Sequence, residues 1–165
     1  MNAEWHGFFA PQVGATAALT GLLFVALSVN IARIMQFPWL PSRAGLTIVV
    51  LVAALLESSL ALFPLSLARF GVDATMLVAI VAYASALCLW GLKRKVPSEW
   101  RSHPDYGRAH FVNLAAIQFA TIPATVGAAL LLAGGNGYPW VAMGVLFSLV
   151  YGILSSWILL VEILR

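Results

Sequence analysis

Five long apolar runs constrain this sequence more than any other feature. They occupy about 12–34, 44–66, 74–92, 109–134 and 139–164. A helix needs ~20 residues to cross the ~30 Å hydrocarbon core of a bilayer, and each run has about that length. A membrane-crossing strand would instead be ~10 residues long and would alternate in polarity, which none of these runs does. The sequence therefore predicts an all-α bundle of five transmembrane helices.

The basic residues predict how this bundle is oriented. When the chain is threaded through a membrane five times, all but one of its nine Lys and Arg residues fall on one side, and the exception is Arg69. Lys and Arg are enriched in cytoplasmic loops, so the amino terminus is expected outside and the carboxyl terminus in the cytoplasm. Only 9% of the residues are charged, against ~25% in soluble domains. Residues 1–165 are therefore expected to form a single transmembrane domain that does not bind nucleic acid.

The segments between the runs are short. Residues 1–11 hold several aromatic side chains and are expected to lie along the outer interface, or alternatively to cover an outer vestibule. Asp73 is expected to cap the third helix after an outer loop at 67–72, and 134–137 should form a tight turn. The basic link 93–108 is expected to be a cytoplasmic loop. It either contacts anionic lipid headgroups or acts only as a topology signal.

Glu57 is the one acidic residue well inside an apolar run. An ionisable side chain in the middle of a bilayer costs roughly 3 kcal/mol or more, so Glu57 should face protein or water. Two interpretations remain open, a buried hydrogen-bonded carboxyl with a structural role or a group that handles ions or protons. Gln118 lies at a similar depth in the fourth run and is the expected hydrogen-bond partner. An amide at that depth is also typical of ordinary contacts between membrane helices.

A polar stripe follows one face of the fifth run. Ser148, Tyr151, Ser155 and Glu162 are spaced so that they share one side of an α-helix. The stripe predicts either a water-filled path between assembled copies or a seam between two helices. A second polar cluster is expected at the cytoplasmic mouth if the first and fourth helices are neighbours. Its candidate residues are Asn30, Arg33, His110, Asn113 and Glu162.

Signatures of catalysis and of cofactor binding are missing from the sequence. It contains no H-E-x-x-H zinc motif, no G-x-S-x-G nucleophile elbow and no phosphate-binding glycine loop. The histidines His6, His103 and His110 fall on two sides of the expected membrane, so they cannot share a metal ion. No run holds the paired histidines of a membrane haem. We therefore expect no enzymatic activity, no metal and no cofactor.

Small residues form a smooth face on the first apolar run. They are Gly14, Ala17, Ala18 and Gly21. Such a face allows another helix to approach closely, either from the same chain or from a neighbouring subunit. Five helices are too few to enclose a hydrated path within one chain, so a symmetric homo-oligomer is predicted.

The first part of the sequence also carries a recognisable pattern. The segment EWHGFFAPQVGATAALTGLLFVALSVNIARI combines a Trp-His pair with an Ala-Leu-Thr-Gly-Leu-x-Phe-Val-Ala run that ends in Ser-x-Asn. Over residues 4–60 it resembles a group of small bacterial multi-pass membrane proteins described as modulators of FtsH protease. The resemblance implies a bacterial protein of the inner (plasma) membrane. It brings no catalytic residues with it.

Two functions are favoured by these features. The first is a homo-oligomeric channel or permeation protein for small ions or solutes, with Glu57, Gln118 and the stripe of the fifth run along its pathway. The second is an accessory subunit that binds a larger membrane complex, such as a membrane quality-control protease. In the second case the small-residue face of the first helix would be the docking surface. The lipid bilayer is the expected surrounding in both.

Overall fold

The computed structural model describes residues 3–36, 40–64, 66–95 and 104–164. Side chains are described in these ranges except at 3–4, 67, 88–95, 104–114 and 162–164. The regular structure of the described part is α-helical. Its helices are α1 (Ala3–Val29), α2 (Ile31–Ile34), α3 (Leu40–Leu60), α4 (Leu67–Lys95), α5 (Pro104–Leu132) and α6 (Tyr138–Leu164).

Every helix except the single turn α2 is long and apolar enough to cross a membrane, which gives five candidate spans in the described residues. These spans are 18 to 25 residues long. A predominantly apolar stretch of about 18 residues or more is long enough for a membrane helix. The predicted class, an all-helical multi-pass membrane protein, is confirmed at this level.

Four of the helices pack as a ring. In it α3 contacts α4, α4 contacts α5, α5 contacts α6, and α6 returns to α3. The remaining long helix, α1, lies outside this ring against α3 and, less extensively, against α6. The ring therefore has an interior that four helices share, whereas α1 has one face on the ring and the other exposed.

Aromatic rings close one end of the bundle, which we call the aromatic end. Its side chains are Trp5, Phe8, Phe9, Phe70 and Tyr138. The Tyr138 ring stacks on Trp5 with 6.0 Å between centroids and on Phe70 with 5.4 Å. α1 begins at Ala3 and continues through Pro11. Residues 3–11 of the segment expected along the outer interface are therefore the first turns of α1, and their rings pack against α4 and α6.

Aliphatic side chains fill the opposite end, where α1 finishes and α3 begins. They are Leu23, Leu27, Ile34, Leu40, Ala44, Leu51 and Leu159. Arg33 and Arg43 also lie here, and we call it the basic end. The helices alternate in direction between the two ends, as the five apolar runs predict.

α1 and α3 both end several residues earlier than predicted. α1 stops at Val29 because Asn30 leaves the helix, and its side-chain Nδ2 donates to the backbone oxygen of Ala26 at 2.9 Å. Asparagine commonly competes with helical hydrogen bonding in this way. α3 stops at Leu60, before the end of the apolar run at about 66, and Pro64 lies beyond the helix. A proline disfavours helical geometry in the residue before it.

The helix of the third apolar run, α4, begins earlier than expected. α4 starts at Leu67, so the segment 67–72 is helical and not an outer loop. Asp73 is consequently inside the helix and not its cap. Its carboxylate lies 3.6 Å from the guanidinium of Arg69, four residues earlier. This local ion pair of opposite charges one turn apart is compatible with continuing the helix.

The turn predicted at 134–137 is confirmed. α5 ends in a left-handed residue, Gly134, with φ of 78°. The backbone N–H of Gly135 donates to the oxygen of Leu130, and that of Gly134 donates to Leu131. This is the Schellman arrangement, which favours glycine at the left-handed position because it carries no Cβ. It turns the chain directly from α5 into α6.

Candidate site at the centre of the ring

A small cavity lies at the centre of the ring, and all four ring helices contribute to its wall. Its volume is about 10 Å³, which is close to the minimum that holds one water molecule. The polar side chains in the wall are Glu57 from α3, Thr121 from α5 and Ser148 from α6. The rest of the wall is apolar and consists of Val50, Ala53, Ala54, Val78, Val81 and Ala124.

Glu57 occupies the last turn of α3, which ends at Leu60. Its backbone is thus closer to the end of a span than the sequence predicts. Side chains of an α-helix lean toward its amino terminus, so this carboxyl is directed back into the bundle. Ser148 shares the cavity and lies ~15 Å along α6 from Tyr138, about half of the ~30 Å hydrocarbon thickness. The side chain of Glu57 is only 5% exposed and reaches this depth.

The expected hydrogen bond between Glu57 and Gln118 does not form. Gln118 is exposed on the outer face of α5, and its Oε1 lies 3.4 Å from the hydroxyl of Thr121. Thr121, about one turn further along, is the residue of α5 that reaches the cavity. Within the described part of the chain, no hydrogen bond to the Glu57 carboxyl is found. Gln118 is therefore wrongly predicted as its partner.

The polar stripe of α6 is buried inside the chain. Ser148, Tyr151 and Ser155 are 7%, 5% and 3% exposed. The Ser155 hydroxyl forms a buried hydrogen bond of 2.6 Å with the hydroxyl of Thr47 on α3. Of the two interpretations left open by the sequence, a seam between helices is the one that these contacts match. The fourth member of the stripe, Glu162, lies outside the described side chains.

Thr47 is a site residue that the sequence prediction omits, although a signal for it exists. Arg43, Thr47, Val50, Ala54 and Glu57 follow one another at steps of four and three, which places them on one face of α3. The face that carries Glu57 therefore also carries polar side chains toward the basic end. Steps of three, four and three residues back from Glu57 reach Thr47, so the helical spacing indicates this residue.

Removing the Ser155 hydroxyl should weaken the seam. We expect Ser155→Ala to lower the free energy of unfolding by about 0.6 kcal/mol and by no more than about 1.7 kcal/mol, the range measured for hydrogen bonds between membrane helices. Ser156→Ala is the matched control, because the Ser156 hydroxyl donates within its own helix to the oxygen of Gly152. Unfolding in mixed detergent micelles, followed by circular dichroism, measures both. An equal effect of the two variants would contradict the seam.

The polar cluster expected at the cytoplasmic mouth depends on the first and fourth spans being neighbours. In the described part of the chain α1 and α5 share no extended packing, because α1 lies outside the ring against α3 and α6. Asn30 bonds to its own helix, and Arg33 is exposed. The side chains of the other three candidates, His110, Asn113 and Glu162, lie outside the described part of the chain. The side chains of the basic link 93–108 also lie outside it.

The small-residue face of α1 is exposed and packs on no described helix of the chain. Gly14, Ala17, Ala18 and Gly21 are all exposed. A Cβ added at Gly14 or at Gly21 would meet no heavy atom within 4 Å. Of the two neighbours left open by the sequence, a helix of the same chain is therefore excluded among the described residues.

No metal centre is found in the described part of the chain, where no three His, Cys, Asp or Glu side chains are grouped to hold an ion. No protein-family model, no curated protein and no solved structure matches the chain. The fold and the site thus define a class, a multi-pass helical membrane protein with a carboxyl at the centre of a four-helix ring. Its function has to be inferred from that geometry.

Proposed function

We propose that this protein is a small permeation protein, in which a proton or another small monovalent cation passes Glu57. The observation that carries the proposal is an acidic side chain in the cavity where four helices meet. A carboxyl at this depth costs roughly 3 kcal/mol or more when ionised. A purely structural carboxyl would offset that cost with hydrogen bonds, and none is found with the described residues. A role in ion handling explains why an acid is present at all.

Polar groups that could serve a proton continue from the cavity toward the basic end. Ser148 and Thr121 line the cavity, and the hydrogen-bonded pair of Thr47 and Ser155 lies further along the α3–α6 seam. Hydroxyl groups both donate and accept hydrogen bonds, so they can order single water molecules. The cavity has room for about one water, which suits a proton better than a hydrated metal ion. At the aromatic end the packed rings would restrict access.

The homo-oligomer and the orientation expected from the sequence belong to the same proposal. The exposed small-residue face of α1 supports association, since such faces favour close contact between membrane helices. The distribution of Lys and Arg supports an external amino terminus. Glu57, Ser148 and Ser155 are buried within one chain. The proposed proton path therefore runs through each subunit, and not through a hydrated path between assembled copies as the sequence predicts.

The role of the cavity is tested by a matched pair of threonines on α5. Thr121 reaches the cavity, whereas Thr125 is exposed one turn further along and donates only to the backbone oxygen of Thr121. We expect Thr121→Val to lower proton flux into liposomes that contain the purified protein at least tenfold. Thr125→Val should retain the flux of the unchanged protein. Flux no higher than in protein-free liposomes for the unchanged protein, or equal flux for the two variants, would contradict the proposal.

A second candidate function is favoured by the exposed face of α1. An accessory subunit needs a surface on which a larger membrane complex can dock, and the glycines at 7, 14 and 21 leave open space along one helix. The resemblance over residues 4–60 would make a membrane protease the partner. Mass measurement in nanodiscs separates the candidates, because the chain is 17.7 kDa. A symmetric multiple of that mass supports the homo-oligomer, whereas a heavier complex with a different protein supports the accessory subunit.

A further inference from the structure

A second concave region lies on the outside of the ring, between α5 and α6, and shares no lining residue with the Glu57 cavity. Its volume is about 200 Å³. Most of its wall is apolar, and several wall side chains are well exposed on the outside of the bundle. The apolar lining consists of Ala116, Phe119, Phe147, Val150, Leu154 and Ile158. We call this region the α5–α6 groove.

The polar lining of the groove comes from three residues, Arg43, Tyr151 and Ser155. Arg43 is the fourth residue of α3, one helical turn from the start of that span. Leu159 packs with Leu40 and Ala44 in the cluster at the basic end. Ile158 therefore lies near the level of Arg43, and the cation marks the end of the groove that is closest to the membrane surface.

The length and direction of the groove match one leaflet of a bilayer. From Ile158 to Phe147 the wall follows α6 for ~16 Å at 1.5 Å per residue. The hydrocarbon core is ~30 Å thick, so this distance is about half of it. The far end is closed by the rings of Phe119 and Phe147, which stack with 4.8 Å between centroids. The groove thus runs from headgroup level to the middle of the membrane.

We propose that the α5–α6 groove binds one anionic phospholipid of the leaflet at the basic end. Its acyl chain lies along the apolar wall, and its phosphate binds the guanidinium of Arg43. A guanidinium has five N–H donors in a planar fork, so Arg43 can bind a phosphate and keep a contact with the protein at the same time. Basic pockets between membrane helices at headgroup level bind anionic lipids by this chemistry. A zwitterionic lipid would fill the same apolar wall but would bind Arg43 less strongly.

The contribution of the Arg43 charge to lipid binding is tested by measuring lipid retention in native mass spectrometry. The protein is purified with equal amounts of phosphatidylglycerol and phosphatidylcholine of the same acyl chains. We expect the unchanged protein to retain one phosphatidylglycerol with about fivefold preference, which corresponds to the ~1 kcal/mol that one basic residue contributes near a membrane surface. Arg43→Gln should remove the preference. Arg33→Gln is the control, because Arg33 is exposed at the same end but does not line the groove.

The apolar wall is tested by a second pair of variants that keeps Arg43. Leu154→Trp adds bulk inside the groove and should reduce retention of both lipids, whereas Ile153→Trp, on a neighbouring exposed residue outside the groove, should not. Circular dichroism verifies that each variant is folded. Three results would overturn the proposal: no preference in the unchanged protein, equal losses for Arg33→Gln and Arg43→Gln, or equal losses for the two tryptophan variants. Displacement of phosphatidylglycerol by equimolar oleate would instead assign the groove to a free fatty acid.

Discussion

Replacing Gly144 with leucine is expected to destabilise the bundle by about 3 kcal/mol or more. A Cβ on Gly144 would lie 2.9 Å from the backbone nitrogen of Ala124 and 3.0 Å from its Cα. Backbone atoms cannot move aside as the end of a flexible side chain can, so α5 and α6 would have to separate. Over-packing a well-packed interior costs roughly 1–3 kcal/mol and sometimes more. Loss of van der Waals contact between membrane helices would add to this cost.

Gly14→Leu is the matched control for this prediction. Gly14 is also a glycine within a membrane-length helix, but a Cβ there meets no heavy atom within 4 Å. Its replacement should leave the unfolding of the monomer in detergent unchanged. Both variants can be compared by denaturant titration in micelles with circular dichroism. Equal destabilisation by the two substitutions would show that the close contact between α5 and α6 does not stabilise the fold.

Glu57→Lys is expected to prevent recovery of folded protein. The substitution places an ammonium in a cavity whose other polar groups are the hydroxyls of Thr121 and Ser148. A cation at this depth costs roughly 3 kcal/mol or more. Position 57 is in the last turn of α3, but Ala61, one turn nearer that end, is buried in the same cluster as Phe70 and Tyr138, and this cluster separates a lysine at position 57 from water. Glu57→Gln keeps the shape of the side chain without a charge, so it should fold. The measurement is the yield of monodisperse protein after size-exclusion chromatography in detergent.

Equal yields of the lysine and glutamine variants would contradict the burial of Glu57. Glu57→Leu is a useful third variant, because it fills the cavity wall with an apolar side chain. Replacing a buried polar group by an apolar one of similar shape is often neutral or stabilising. We therefore expect Glu57→Leu to fold at least as well as the glutamine variant.

The number of spanning helices could be predicted from the sequence because each apolar run is an independent local signal. The starts of α1 and α4 could not be predicted from such a local signal. Trp5 and Phe9 are aromatic residues near a span end, which is typical of an interfacial segment. Their helical conformation is stabilised instead by contacts with Tyr138 and its neighbours, far away in the chain. Asp73 reads as a helix cap by the same local logic, yet the helix extends before it to Leu67.

The site was predicted in part for a related reason. Depth in the membrane can be counted along a sequence, so Glu57 and the middle of α5 were placed at similar levels. Rotation of a helix about its axis is set by packing, and it decides that Thr121 and not Gln118 faces the cavity. For small residues, too, the sequence alone does not determine whether their helix face is buried or exposed. Those of α1 are exposed, whereas Gly127 and Gly144 bring α5 and α6 into close contact.

The claim that Glu57 handles a proton is tested most directly by proton flux in liposomes. Purified protein is reconstituted with a pH-sensitive dye inside, and a potassium diffusion potential drives protons inward. The unchanged protein should acidify the interior well above the rate of protein-free liposomes. Glu57→Gln, reconstituted in the same amount and shown to be folded, should fall to the protein-free rate. Equal flux through the unchanged protein and Glu57→Gln would contradict the claim.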